Sequence, residues 1–449
     1  MLKEKGPTQH QLEMVAIDQL VPQGHLVRLL DATIDFEFIR DEVSHLYCSN
    51  NGRPATDPVR FFKILFLGYL FGISSERRLV KEIEVNVAYR WFLEMGLTED
   101  VINHSTLSQN RIKRFKDSDI YQTIFDNIVR QAMKLKLIGG HSLFADSTHL
   151  KANANKRRYD IKDLEVSPSV YIEQLNEAVS IDRELSGKKP LKCKEETPST
   201  KPTKVSRTDA DAGFMVRDEK PKGFFYLDHR TVDGKHNIIV DTHATLGNVH
   251  DSQPIISRID RILDTFDIEP VAVGLDAGYF TAAVCHELEE RQLIGVMGYR
   301  RPKKKKGYFA KREYLYDAND DTYTCPQGQV LPYKTTNRQG YRHYHSDPKQ
   351  CKNCPVRERC TNSQNMTKVV TRHVWQASVE RANEVRLSDW GKKRYKRRSQ
   401  TVERSFADAK QHHNHRYARY RGLDKVNMQC LLAAACQNMK KIAMAKINS

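Results

Sequence analysis

The sequence lacks an apolar stretch long enough to cross a bilayer. Its longest apolar run, Phe61–Ile73 (FFKILFLGYLFGI), is interrupted by Lys63 and falls short of the roughly 20 residues a spanning helix needs. It reads as a buried helix. The first residues, MLKEKGPTQHQLEMV, carry no apolar signal segment, which predicts a protein that stays in the cytoplasm. Acidic residues are in deficit: 56 Asp and Glu stand against 73 Lys and Arg, a formal net charge of +17. Such an excess points to a polyanionic partner, and without a membrane segment that partner is nucleic acid. No internal repeat and no RNA-recognition signature are visible, which disfavours a solenoid and an RNA-binding module. Nine cysteines cannot all pair, and four of them fall within residues 325–360, a crowding that favours metal binding over a disulfide framework.

The rest is ordinary globular composition, 39% hydrophobic and 29% charged. A length of 449 residues leaves room for two or three domains. Residues 1–138 read as an all-α region, with apolar residues at three- and four-residue spacing over Pro58–Ser74 and Glu76–Met95. Ser105 is the expected N-cap of a helix that carries Arg111, Lys113 and Arg114. Gly139-Gly140 ends the helical pattern. Strands are then predicted at His141–Leu150, Phe224–Asp228, His236–Ala244, Pro270–Leu275 and Leu293–Met297, with a helix at Thr281–Gln292. That order predicts a mixed sheet with flanking helices, an α+β protein whose core occupies residues 139–300 and is completed by residues 367–449. Within the core, residues 155–222 read as a charged insert, with Thr197–Arg207 as a linker or loop. Residues 301–366 form a small basic, Cys-rich insert. From Val369 helix is expected again, including one long stretch over Ser378–His413 and an Ala-rich helix over Val426–Ala445.

Three carboxylates stand out by position. Asp146 lies inside the apolar strand LFADST, where a charge is costly unless compensated. Asp276 directly follows the apolar strand PVAVGL, at the strand end where sites gather in open sheets. Glu403 lies on a helix whose Val402, Phe406 and Ala409 would face the core. Each alone could be a solvated or hydrogen-bonded acid. Together, they form an oxygen-donor set suited to a pair of divalent cations, Mg²⁺ or Mn²⁺, about 4 Å apart. His250-Asp251 either supports that site or caps the next helix, and the cap is the favoured reading.

The blocks LFADSTHLKAN, VGLDAGY and VERSFADAKQHHNHRYARYRG, in that order, resemble the signatures of DDE insertion-sequence transposases. The segments HRTVDGKHNIIV and NVHDSQP resemble the same family. The resemblance implies a ribonuclease H-like catalytic fold, with Asp146, Asp276 and Glu403 as the metal-binding acids in chain order. It also implies that the enzyme cuts the ends of a mobile element and joins the freed 3′-hydroxyls to target DNA. Some members carry Tyr-x2-Arg-x3-Glu-x6-Lys around the last acid. Here Tyr395, Arg398, Glu403 and Lys410 give one extra residue between Arg and Glu. On one continuous helix that residue would rotate Tyr395 and Arg398 about 100° away, whereas Lys410, about two turns beyond Glu403, stays on its face, placed to contact phosphate.

Residues 391–425 hold twelve Lys and Arg against three acids, interleaved with Tyr395, Tyr417, Tyr420 and three histidines. Basic residues contact phosphates and aromatic rings stack on bases. Candidate contacts to double-stranded DNA are Tyr395, Arg397, Arg398, Arg404, Arg416 and Arg419, with Lys303, Lys304 and Lys305 as a second patch. The helix with Arg111, Lys113 and Arg114 reads either as a helix-turn-helix recognition element or as a solvated basic helix. Cys325, Cys351, Cys354 and Cys360 (C-x25-C-x2-C-x5-C) fit a structural Zn²⁺ site closed by four thiolates, with reduced, unliganded cysteines as the alternative. Binding two element ends at once implies a homodimer or larger in the DNA complex. Two rival functions remain: a metal-dependent nuclease without strand transfer, and a domesticated, inactive DNA-binding regulator.

Overall fold

The computed structural model describes residues 14–48, 55–116, 118–165, 171–192, 200–216, 222–299 and 306–447. Its centre is a mixed sheet built from β1 (Ser142–Lys151), β2 (Gly223–Asp233), β3 (Ile239–Leu246), β4 (Ala272–Leu275) and β5 (Ile294–Met297). The spatial order is β3-β2-β1-β4-β5, and the short strand Gly213–Met215 also pairs with β2. β1, β2 and β3 run antiparallel, while β4 lies parallel to β1 and β5 parallel to β4. β2 and β3 join through Asp233-Gly234, the turn signal read from the sequence, and Asp233 locks the corner by accepting hydrogen bonds from the Gly139 and Gly140 N–H groups.

The helices that matter for the site are α1 (Pro58–Leu70), α2 (Ile120–Lys134), α3 (Ile255–Phe266), α4 (Ala282–Glu290), α5 (Gln376–Leu387), α6 (Val402–His412) and α7 (Leu423–Ile447). α1 begins with Asp57 as N-cap and Pro58 in its first turn, and nearly every residue along it is buried. α7 packs against α1, α2 and β3, so the N-terminal helices and the sheet share one hydrophobic core running from Val21 to Ala443. Among the described residues, no helix is long and apolar enough to cross a membrane. The architecture is α+β.

Several elements differ from the sequence reading. Thr200–Ser206, expected as linker, is a strand paired antiparallel with Tyr159–Glu165, and the helix Ile172–Leu185 lies between them in sequence. Lysines and threonines hid the strand because a two-stranded ribbon open to solvent has no need of an apolar face. Val369–His373, expected as helix, is the outer strand of a five-stranded antiparallel meander with Tyr341–His345, Val330–Thr336, Thr322–Thr324 and Leu315–Asp317. The N-cap near residue 104 is Asn103, whose side chain accepts the Ser105 N–H, rather than Ser105 itself. The basic helix after it is short, His104–Gln109, and passes into a single π turn over Asn110–Arg114. The single long helix expected over Ser378–His413 is broken into α5, Asp389–Lys396, a 3-10 turn at Arg397–Gln400, and α6.

Candidate active site

The parallel register of β1 and β4 sets the first two acids beside each other. Phe144 pairs with Gly274, so two residues further along each chain Asp146 and Asp276 project from adjacent strands on one face. Asp276 also caps the turn that follows β4, accepting the Ala277 N–H at 2.6 Å. Glu403 comes from the first turn of α6, where a negative charge is favourable against the helix dipole. All three meet one guanidinium. Arg398 donates from Nη2 to Asp146 Oδ2 at 2.7 Å, and its Nη1 lies 3.8 Å from Asp276 Oδ1 and 3.7 Å from Glu403 Oε1. The Asp276 and Glu403 oxygens are each within 4 Å of that one nitrogen, hence well under a nanometre apart.

Arg398 reaches this position because the chain is not one helix there. The 3-10 turn at Arg397–Gln400 ends at Thr401, whose φ of −112° and ψ of −95° leave the helical region. The extra residue between Arg398 and Glu403 is absorbed at that break, so the expected rotation away from the site does not occur. Tyr395 is carried in with it: Arg398 Nη1 lies 3.4 Å from Tyr395 Oη. Gly298, just past β5, makes this possible, since a Cβ there would stand 2.6 Å from that same hydroxyl.

The site is electrostatically incomplete. The Asp146 side chain is 21% exposed, while those of Asp276 and Glu403 are about half exposed, at 52% and 51%. Burial pushes the Asp146 carboxyl up to about 6, with Arg398 opposing and Asp276 and Asp251 adding to the rise. Arg398 supplies one positive charge to three carboxylates, in a chain that is otherwise strongly basic. All-oxygen donors, a negative surplus and an open side fit hard divalent cations.

Three further groups flank the acids. Lys410 projects from α6 and donates to Thr148 Oγ1 at 2.5 Å, two residues beyond Asp146 on β1. Asp251 accepts from Ser147 Oγ at 2.9 Å. It does not cap α3, whose N-cap is Pro254 with no side-chain bond; it belongs beside the site, the reading the sequence left in second place. A cleft of about 650 Å³ opens next to Glu403, lined by Tyr299, Arg386, Lys392, Tyr395, Lys396 and Arg398 among others. Tyr299 and Arg386 were not singled out from the sequence, because neither belongs to a motif.

The other basic candidates separate by burial. Arg397, Arg404, Arg416 and Lys113 are exposed, and Arg114 is half-buried over the Tyr47 ring. Arg111 is buried, ion-paired with Glu76 and stacked on Tyr420. Arg419 lies over the Tyr69 ring and donates to the Gly68 and Ile73 carbonyls, binding the C-terminal segment to α1. Arg111 and Arg419 are thus spent on internal contacts in this structure, as is Tyr420, which donates to Glu76. Lys303, Lys304 and Lys305 lie outside the described residues.

A second polar cluster, built on one acid, sits one strand away. Asp228 on β2 accepts from Arg230 Nε at 2.8 Å and Thr242 Oγ1 at 2.7 Å, and lies 2.8 Å from His415 Nε2. Asp228, His415 and Cys430 offer potential ligand atoms within 4.8 Å of one another. Here, however, both carboxylate oxygens already have partners and every side chain is sealed from solvent. A cation would have to displace a buried guanidinium that also donates to Gln437 and Ser405. The cluster is a structural tie between β2, α6 and α7.

Sheet, acid cluster and basic cleft together set a group of oxygen donors beside a basic surface. The chain matches a family model described as a transposase DDE domain over residues 324–443, and a second described as a transposase domain (DUF772) over residues 15–113. Both matched families are described as transposase domains, and together the matches support a DDE-type insertion-sequence transposase, of a DNA-cleaving and DNA-transferring class of enzyme. Glu403 and Lys410 fall inside the first match, whereas Asp146 and Asp276 lie between the two. No curated protein matches the sequence.

Proposed function

We propose that the chain cuts the ends of an insertion sequence and joins the freed 3′-hydroxyls to target DNA, with Asp146, Asp276 and Glu403 holding two Mg²⁺ or Mn²⁺ ions. The observation that carries this reading is the convergence of three carboxylates, from segments far apart in sequence, around a single buried arginine. The strand order β3-β2-β1-β4-β5, with its first three strands antiparallel and the last two parallel, supports a ribonuclease H-like core.

Divalent cations bound there would activate a water or a 3′-hydroxyl and stabilise the leaving oxygen at phosphorus. Asp146, on the central strand, is the fixed anchor; Asp276 and Glu403, each half exposed, can adjust to an incoming phosphate. Arg398 holds the three acids together and is the group that must shift its contacts when other cations arrive. Lys410, steadied by Thr148, is aimed to meet a phosphate oxygen beside the acids. The cleft bearing Arg386, Lys392 and Lys396 takes the backbone of double-stranded DNA, with Arg397, Arg404 and Arg416 extending the track. Lys113 and Arg114 in the N-terminal helical region, and the Lys303–Lys305 patch, are assigned further backbone contacts. The working complex is a dimer or larger, acting in the cytoplasm.

The test is direct. Purified protein with Mn²⁺ should nick DNA carrying its element's ends and then yield joined products, while Asp146→Asn binds that DNA without cutting. Nicks without joined strands would reduce the reading to a nuclease, and binding with no nicks under any divalent cation would overturn it.

A further inference from the structure

The four clustered cysteines are untouched by the proposed chemistry, and the structure brings them together. Cys325, Cys351, Cys354 and Cys360 all line one cavity of about 30 Å³, with Phe309, Leu331 and Val356 on its apolar wall. They arrive from three short turns. Cys325-Pro326-Gln327-Gly328 closes a hairpin, in which the Gly328 N–H bonds the Cys325 carbonyl and Gly328 takes a φ of +75°, a left-handed conformation suited to glycine. Cys351 and Cys354 flank the end of a one-turn helix, and the Cys354 N–H bonds the Cys351 carbonyl. Cys360 follows the 3-10 turn Arg357–Arg359.

Each of three sulfurs has a polar neighbour. The Gln327 N–H donates to Cys325 Sγ at 3.4 Å, Tyr314 Oη lies 3.1 Å from Cys360 Sγ, and Ser346 Oγ lies 3.2 Å from Cys351 Sγ. The N–H aimed at Cys325 is of the kind that stabilises sulfur carrying negative charge, whereas the Cys351 thiol itself donates to Ser346 and would have to give up that bond on becoming a thiolate. No acid lines the cavity, whereas Arg357 and Lys368 do, so a site of net charge −2, as zinc with four thiolates has, would be compensated. None of the four is in a disulfide.

The surrounding fold needs such a tie. The five-stranded meander has a buried cluster of just five residues, Tyr314, Tyr323, Leu331, Tyr344 and Val370, with Cys325 and Cys360 packed against it. A core of that size gives little stability alone, and small modules commonly obtain the rest from a structural metal. The meander in turn holds the helix Ile172–Leu185, through Asp182–Arg342 at 3.1 Å and Arg183 Nη1 donating to the Thr336 carbonyl at 2.6 Å.

We propose that Cys325, Cys351, Cys354 and Cys360 bind one Zn²⁺ that folds this meander and, through it, fixes the helix Ile172–Leu185. The four sulfurs stand around the cavity instead of crowding within 4.8 Å of one another. Binding the ion requires the four sulfurs to draw together, and each thiol releases its proton to solvent as it becomes a ligand. The closed shell leaves no position for substrate, so the role is structural.

The experiment uses the full chain, purified reduced and without added metal, and measures zinc colorimetrically after release by a thiol-binding mercurial. About one zinc per chain is expected, released in proportion to thiol modification. Cys354→Ser and Cys351→Ser should each fall to roughly a tenth of that content, while Cys48→Ser, away from the cluster, keeps it. Cobalt added to chelator-stripped wild type should give thiolate-to-metal charge-transfer absorption, a readout independent of any variant's folding. A freshly reduced wild-type chain that neither retains zinc nor develops the cobalt bands would overturn the proposal, as would zinc retained undiminished in both variants. Neither result bears on DNA cleavage, so this site and the carboxylate site can fail separately.

Discussion

Asp146 and Asp228 stand on neighbouring strands of one sheet, each beside an arginine, yet their surroundings are opposite. Asp228 has Arg230, Thr242 and His415 around a fully buried carboxylate, and both its oxygens are used. Asp146 shares its one arginine with two other carboxylates that face solvent. Completeness decides the difference. A buried acid with its full set of donors has no affinity left for a cation, whereas an acid group with one shared donor and an open side has a standing deficit of positive charge. Residue type alone, Asp next to Arg, does not distinguish them.

That contrast can be broken most sharply at the acids. Asp146→Asn should lower strand cleavage on the order of a thousandfold while DNA affinity stays within about twofold, read by gel assay and by fluorescence anisotropy. Asp228→Asn should instead act through stability: leaving Arg230 buried without its carboxylate costs about 3–5 kcal/mol, seen as a large fall in thermal midpoint. If Asp228→Asn left the midpoint unchanged yet abolished Mn²⁺ binding, the roles assigned to the two clusters would be reversed.

Arg398→Gln tests whether the shared arginine stands in the place of incoming cations. Removing it should strengthen Mn²⁺ binding by roughly tenfold in calorimetric titration, because one competing positive charge is gone, while cleavage still falls. Lys410→Ala is the next step down: cleavage should drop about tenfold to a hundredfold with Mn²⁺ affinity unchanged. The smallest effects belong to the basic surface. Arg404→Ala and Arg416→Ala should each reduce the salt slope of DNA binding by about one, whereas Arg111→Ala should lower the thermal midpoint and leave that slope alone.

Much of the site could be read from one-dimensional pattern. Asp146 inside an apolar strand, Asp276 at the end of PVAVGL, and Glu403 on a helix with Val402, Phe406 and Ala409 buried beneath it all lie in the kinds of element expected of them, because hydrophobic periodicity is a local property. The surface candidates were less legible. Charge alone could not tell Arg404, exposed beside Glu403, from Arg111 and Arg419, which are consumed by Glu76, Tyr69 and main-chain carbonyls. Asp251 was assigned to a helix end because its neighbour in sequence is α3, while its partner in space, Ser147, is on β1.

The sequence by itself determined the basic charge, the α+β order of elements, the positions of the three acids within them, and the four-cysteine cluster, since each follows from composition or short-range spacing. Only the tertiary structure decided that the helix breaks at Thr401 and so returns Arg398 to the acids, that Asp251 joins them, and that Asp228 is sealed away. Those outcomes depend on which side chains meet across distant segments and how much water reaches them, and no local pattern encodes either.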